Sequence, residues 1–116
     1  MIDKLIQLGD LLREKKAHDV LLLDVSSYCG AFEGIVLASA HGRRHARALA
    51  DYLLERIKQG NLEFLGMEGF KEGEWILLDL NDVIVHIFVQ EARLFYNLEG
   101  FWNRGRIIEP KPTGEK

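Results

Sequence analysis

Cysteine is almost absent from this chain: Cys29 stands alone, so no intrachain disulfide can form and an oxidising compartment gains no support. No apolar run approaches the roughly 20 residues needed to span a bilayer. The opening Met1-Ile2-Asp3-Lys4 lacks the basic start and apolar stretch of a secretion signal. A reduced cytoplasm without membrane contact is the expectation. There is no surplus of positive charge either. The net charge is −3, so the chain as a whole does not attract nucleic acid, and any RNA contact must come from a local patch. Gly-rich phosphate loops of the Walker or dinucleotide type are missing as well, and there are no internal repeats.

What is present suits one globular domain. At 116 residues the chain can bury a real core but not two. Ile2 to Lys16 reads as a helix, with Leu5, Leu8 and Leu12 at three- and four-residue steps. Arg13, Lys15 and Lys16 gather at its end, where they complement the helix dipole. Val20 to Val25 is a nearly continuous apolar run, as expected of a strand covered on both faces, and Gly34 to Ser39 reads as a second. Arg43 to Gln59 is the clearest helix, its stripe formed by Ala46, Leu49, Ala50, Leu53, Leu54 and Ile57. Gly60-Asn61 should end it. A short edge strand is expected at Phe64-Leu65, then a glycine-punctuated loop.

Trp75 to Leu80 and Val83 to Val89 form a hairpin about Asn81-Asp82, a turn that tolerates positive φ. This register pairs Leu80 with Val83, Leu78 with Val85 and Ile76 with Ile87, so that face is core. The other face carries Trp75, Leu77 and Asp79 beside Ile84, His86 and Phe88. It is either incompletely covered and suited to a partner, or a core face with a buried Asp79–His86 hydrogen bond. Glu91 to Leu98 reads as a final helix. From residue 104 the chain turns polar and takes in Pro110, Pro112 and Gly114. The expected division is therefore a domain over 1–103 and a mobile polar tail over 104–116. The fold class is α/β: a single mixed sheet flanked by helices.

Few residues invite chemistry. Metal-dependent nucleotidyl transfer wants carboxylates one residue apart on a strand, both aimed at the same ions. Asp79 and Asp82 instead straddle a turn, where Asp82 is a turn former, and Asp24 lies near another strand's end. His41 and His45 share a helix face, but no further ligands complete a zinc set, while His18 and His86 fall on separate elements. No metal or other cofactor is expected. Cys29 has no neighbouring histidine and reads as a loop thiol. Arg43, Arg44 and Arg47 stand in the first turns of a helix, where an anion would offset their charge; the plain alternative is stems lying on apolar surface with their heads in water. Phe95, Tyr96, Phe101 and Trp102 crowd one stretch with Arg93, a composition found in docking surfaces and dimer contacts.

Leu23-Asp24-Val25, Arg44-His45 and Ala48-Leu49-Ala50-Asp51 are followed by Glu74-Trp75-Ile76-Leu77-Leu78-Asp79, Asp82-Val83-Ile84-Val85-His86-Ile87-Phe88 and Glu91-Ala92-Arg93-Leu94-Phe95-Tyr96-Asn97-Leu98-Glu99. In this order and spacing they resemble the ribosomal silencing factor family, also called RsfS or Iojap-like, over about residues 3 to 102. The resemblance implies a nucleotidyltransferase-like fold without catalytic residues and no enzymatic activity. The implied function is to bind the large ribosomal subunit through ribosomal protein L-fourteen and block joining of the small subunit, repressing translation. The resemblance also leaves open a role in large-subunit assembly, contact with nearby ribosomal RNA and homodimerisation, and a residual nucleotide-binding activity stands as the alternative. The implied docking positions are Trp75, Leu80 and Tyr96, with Asn97 beside them and Glu91 and Arg93 orienting the partner. By strand parity Leu80 points away from Trp75. The sequence departs from the family at Ala40-His41-Gly42-Arg43 and at Phe32-Glu33.

Overall fold

The computed structural model describes residues 1–27, 29–96 and 105–109. In chain order the elements are α1 (Ile2–Glu14), β1 (His18–Asp24), β2 (Gly34–Ala40), α2 (Arg43–Gln59), β3 (Gly66–Glu68), β4 (Trp75–Asp79), β5 (Val83–Val89), α3 (Gln90–Tyr96) and β6 (Arg106–Glu109). The strands form one six-stranded mixed sheet in the order β3-β4-β5-β2-β1-β6. The central β2–β5 pair is parallel and the other pairs are antiparallel.

Period-two alternation sorts the sheet into two faces. Val36, Ala38, Ile76, Leu78, Val83, Val85 and Ile87 point to one face, where Leu5, Leu8 and Leu12 of α1 and Leu49, Leu53 and Ile57 of α2 complete the main core. Ile35, Leu37 and Phe88 point to the other, with Leu23, Val25, Val89 and Ala92. The hairpin register is the expected one, Ile76 opposite Ile87 and Leu78 opposite Val85. Leu80 N–H closes it onto the Val83 carbonyl at 2.9 Å, and the positive φ falls on Asn81, at 76°.

Both long helices end the same way. Lys16 (φ 70°) and Asn61 (φ 57°) take the left-handed conformation. Lys16 N–H reaches Arg13 O and Ala17 N–H reaches Leu12 O; Asn61 N–H reaches Lys58 O and Leu62 N–H reaches Ile57 O. These are Schellman pairs, which satisfy the last helical carbonyls. The reversal after α2 thus rests on Asn61 and not on Gly60, whose φ is −89°.

Three boundaries differ from expectation. β3 lies at 66–68, just beyond the expected Phe64-Leu65. α3 begins one residue early, at Gln90; Asn97 and Leu98, expected at its end, lie outside the described residues. The third difference is a correction: the expected polar tail contains β6, which pairs antiparallel with β1. Ile108 packs against the main core, and Arg106 lies 3.4 Å from Asp24. A strand this short is held by its ladder and one apolar contact, and its composition of two charges and two isoleucines does not announce it. Residues 110–116 lie outside the described residues.

Candidate docking surface

The connection between β3 and β4 sets the position of Trp75. Gly69 has φ +82°, and a Cβ there would stand 2.1 Å from the Trp75 carbonyl oxygen, so only glycine lets this backbone pass. Gly73, also at positive φ, leaves space that a Cβ would take from the Arg47 guanidinium, at 2.6 Å. Arg47 donates to the Lys71 carbonyl at 3.1 Å, and Arg43 approaches Glu74 at 4.0 Å. Two of the three arginines at the start of α2 are therefore engaged with the loop that leads into β4. Arg44 is exposed.

Trp75 emerges half-buried on the sheet face opposite α1 and α2. Its ring lies 5.5 Å from Phe88 and 6.0 Å from His86, both tilted, while His86 and Phe88 stack at 6.0 Å. The indole Nε1–H donates to His86 Nδ1 at 3.1 Å. Beside the ring opens a shallow hollow lined by Glu68, Gly69, Trp75 and Leu77. His86 itself is 7% exposed, and burial pushes its pKa down to about 4. At neutral pH it is an uncharged acceptor. The expected Asp79–His86 bond does not form: Asp79 accepts the Asn81 backbone N–H at 2.9 Å and shapes the turn. His86 lies diagonally across from Trp75, since Leu77 is its direct partner, and diagonal neighbours lie within reach of an aromatic side chain.

Among the described residues, Trp75, Leu80 and Arg93 do not share one exposed patch. Leu80 is fully buried in the main core; by strand parity it shares the α-helical side with Ile76 and Leu78, which corrects its assignment to a partner surface. Arg93 is corrected too. It is 5% exposed and donates to the Asp19 carbonyl at 2.5 Å and to Ser39 Oγ at 2.8 Å. Asp19 is the positive-φ residue where β1 slips register, so Arg93 satisfies a carbonyl that the irregular ladder leaves available. Glu91 is exposed. Tyr96 closes α3, but its side chain, like Asn97, lies outside the described residues.

The family described as "Ribosomal silencing factor during starvation" matches residues 1–116. The chain belongs to the ribosomal silencing factor family. One relative, "Ribosomal silencing factor RsfS" of Chromobacterium violaceum, is 31% identical over 93 residues, which are 80% of this chain and 76% of that one. A crystal structure of a Chromobacterium violaceum protein superposes with a TM-score of 0.83 at 30% identity, covering 97% of this chain and 91% of that one. A mouse protein named "Mitochondrial assembly of ribosomal large subunit protein 1" is 27% identical over 104 residues, 87% of this chain but 44% of its own length.

In this ribosomal silencing factor family member the residues that suggested other chemistry have local structural duties. Asp24 accepts from Ser26 Oγ at 2.6 Å and Ser26 N at 3.0 Å, and the Ser26 hydroxyl bond is the main cause that holds its carboxyl below the usual range. Asp82 pairs with Lys4 at 2.6 Å. His18, His41 and His45 come together, with ring centroids 4.6 and 5.1 Å apart. His45 Nδ1 accepts the His41 N–H at the start of its own helix, and its Nε2 lies 2.7 Å from the Lys15 carbonyl at the end of α1, so both nitrogens are occupied. Among the described residues no group of three His, Cys, Asp or Glu is arranged to hold a metal ion. No described helix is long and apolar enough to cross a membrane.

Proposed function

We propose that this protein docks on the large ribosomal subunit through the sheet face around Trp75, contacting ribosomal protein L-fourteen, and represses translation by occupying the space the small subunit needs. The observation that carries this reading is the half-buried Trp75, braced by His86 and Phe88 beside an apolar hollow, in a chain of this family. A rigid aromatic anchor at the centre of a patch is the usual source of binding energy at an interface. Exposed Glu91, on the helix that packs on the same face, supplies charge for orienting a partner. No reaction is required, because inhibition follows from occupied volume.

Co-sedimentation with isolated large and small subunits tests the proposal. Wild-type protein should pellet with large subunits only and exclude small ones from them, while Trp75→Ala should lose about 2 kcal/mol or more of binding, as hot-spot truncations do. A Trp75→Ala protein that pellets as well as wild type would falsify the site. The name of the mouse relative favours a second reading, assembly of the large subunit. A strain lacking the protein separates the two: accumulation of incomplete large subunits supports assembly, whereas normal subunits with unrestrained translation in starvation support silencing.

A further inference from the structure

A half-buried indole that must meet a partner carries a polar atom. If its N–H faces water in the free protein, docking strips that water away and leaves the donor needing a new acceptor. Here the donor is already paired, Trp75 Nε1–H to His86 Nδ1 at 3.1 Å. The acceptor is held in turn. His86 lies parallel to Phe88, with 5° between the ring planes, and sits opposite Leu77 on the neighbouring strand. Of the acidic side chains on this face, Asp79 is committed to the Asn81 turn, and Glu68, opposite Leu77 on β3, lines the hollow beside the indole. Fixed between Phe88 and His86, the indole has lost its freedom to flip before any partner arrives, which removes an ordering cost from binding.

We propose that His86 is a positioning residue for docking: its unprotonated Nδ1 holds the Trp75 indole N–H, so that the partner meets the apolar ring face beside Leu77 and Gly69 and never its polar edge. Burial supports the protonation state this needs, since the imidazole stays neutral well below physiological pH. The Nδ1 acceptor role places the ring proton on Nε2. The proposal rests on the reading of Trp75 as the docking residue.

Variants at both positions separate the two ideas. Binding to purified large ribosomal subunits would be measured for wild type, Trp75→Ala, His86→Asn and His86→Phe, each first shown to be folded by circular dichroism. Asparagine presents a carbonyl oxygen near the Nδ1 position, whereas phenylalanine keeps the ring and removes the acceptor. We expect His86→Phe to bind about five- to tenfold more weakly and His86→Asn to stay within about twofold of wild type. Equal binding by His86→Phe and wild type, or equal weakening by His86→Phe and His86→Asn, overturns the positioning role while leaving the Trp75 site standing. Undiminished binding by Trp75→Ala overturns the site, and the positioning role with it. Should His86→Phe not fold, His86→Gln replaces it, since its carbonyl reaches the Nε2 position instead, and it should bind as weakly. In 15N-labelled wild-type protein, a scalar coupling between Trp75 Nε1 and His86 Nδ1 reports the bond without any substitution, and its absence overturns the proposal.

Discussion

Acidification should weaken this fold through His86 in a pH range where the carboxylates contribute little. The ordinary histidine value is 6.5, and burial lowers it to about 4 in the folded chain. Between these values the unfolded chain takes up a proton that the folded chain refuses. Stability is therefore fully present above about pH 6.5, falls as the pH drops, and levels off below about pH 4. Each pH unit in that window costs about 1.4 kcal/mol, so the whole range is worth about 3 kcal/mol, and about 2 kcal/mol is already lost at about pH 5. With a side chain this buried, solvent screening takes little from the figure. Asp24 has a profile of the same sign in a lower window. Its depressed carboxyl loses its contribution only as pH falls below the ordinary aspartate value of 3.8.

Urea unfolding at about pH 7, 6 and 5, run on wild type and His86→Phe together, isolates the effect. His18, His41, His45 and the carboxylates are common to both proteins and drop out of the difference. The expected result is a wild-type free energy that declines relative to the variant by about 2 kcal/mol across that range. Parallel curves would refute the reasoning. A wild type that gained on the variant as pH fell would show that His86 is protonated in the fold and paired with a carboxylate.

Three substitutions follow from the same geometry. Leu80→Ala removes a fully buried side chain and should cost about 2–5 kcal/mol in chemical denaturation; binding to large subunits by the fraction that stays folded should be unchanged. Arg93→Met leaves the Asp19 carbonyl and Ser39 Oγ without their guanidinium partner, a loss of about 2 kcal/mol measured by thermal or urea melting, whereas Glu91→Ala should leave the melting curve unmoved. Gly69→Ala drives a Cβ into the Trp75 carbonyl and imposes a strained φ, so it should destabilise by about 1–3 kcal/mol and shift the Trp75 indole resonance; an unperturbed resonance would contradict the assigned role of that glycine.

The hairpin was legible because two independent signals agreed. Strict period two on both arms and a turn at Asn81-Asp82 fixed a register that the ladder reproduces at Ile76–Ile87 and Leu78–Val85. The same parity put Leu80 on the core side, and there it lies. Where only one signal existed, reading failed. β6 has two isoleucines between an arginine and a glutamate, a composition shared with many surface loops, and what makes it a strand is the exposed edge of β1, which no local pattern reveals. Arg93 read as a surface cation because arginine usually is one. Its burial depends on the register slip in β1, which turns the Asp19 carbonyl toward α3.

The Trp75–His86 bond lies between these cases. Both residues were visible on one face, and Asp79 was the obvious acidic partner for a buried histidine. Two facts reversed that choice. Asn81 needed an acceptor to hold its left-handed turn, and Asp79, two residues before it, was the local side chain able to supply one. His86 was then left with the diagonal neighbour, and a neutral imidazole suits an indole donor better than an imidazolium would. The turn that sets the register of the hairpin thus also decides which side chain holds the tryptophan. Asn81→Gly adopts the same φ and keeps the backbone N–H that Asp79 accepts, so Asp79 should stay in the turn and His86 should keep the indole. Urea unfolding of that variant should show the wild-type pH dependence, and a flattened or reversed curve would show that Asp79 had left the turn for His86.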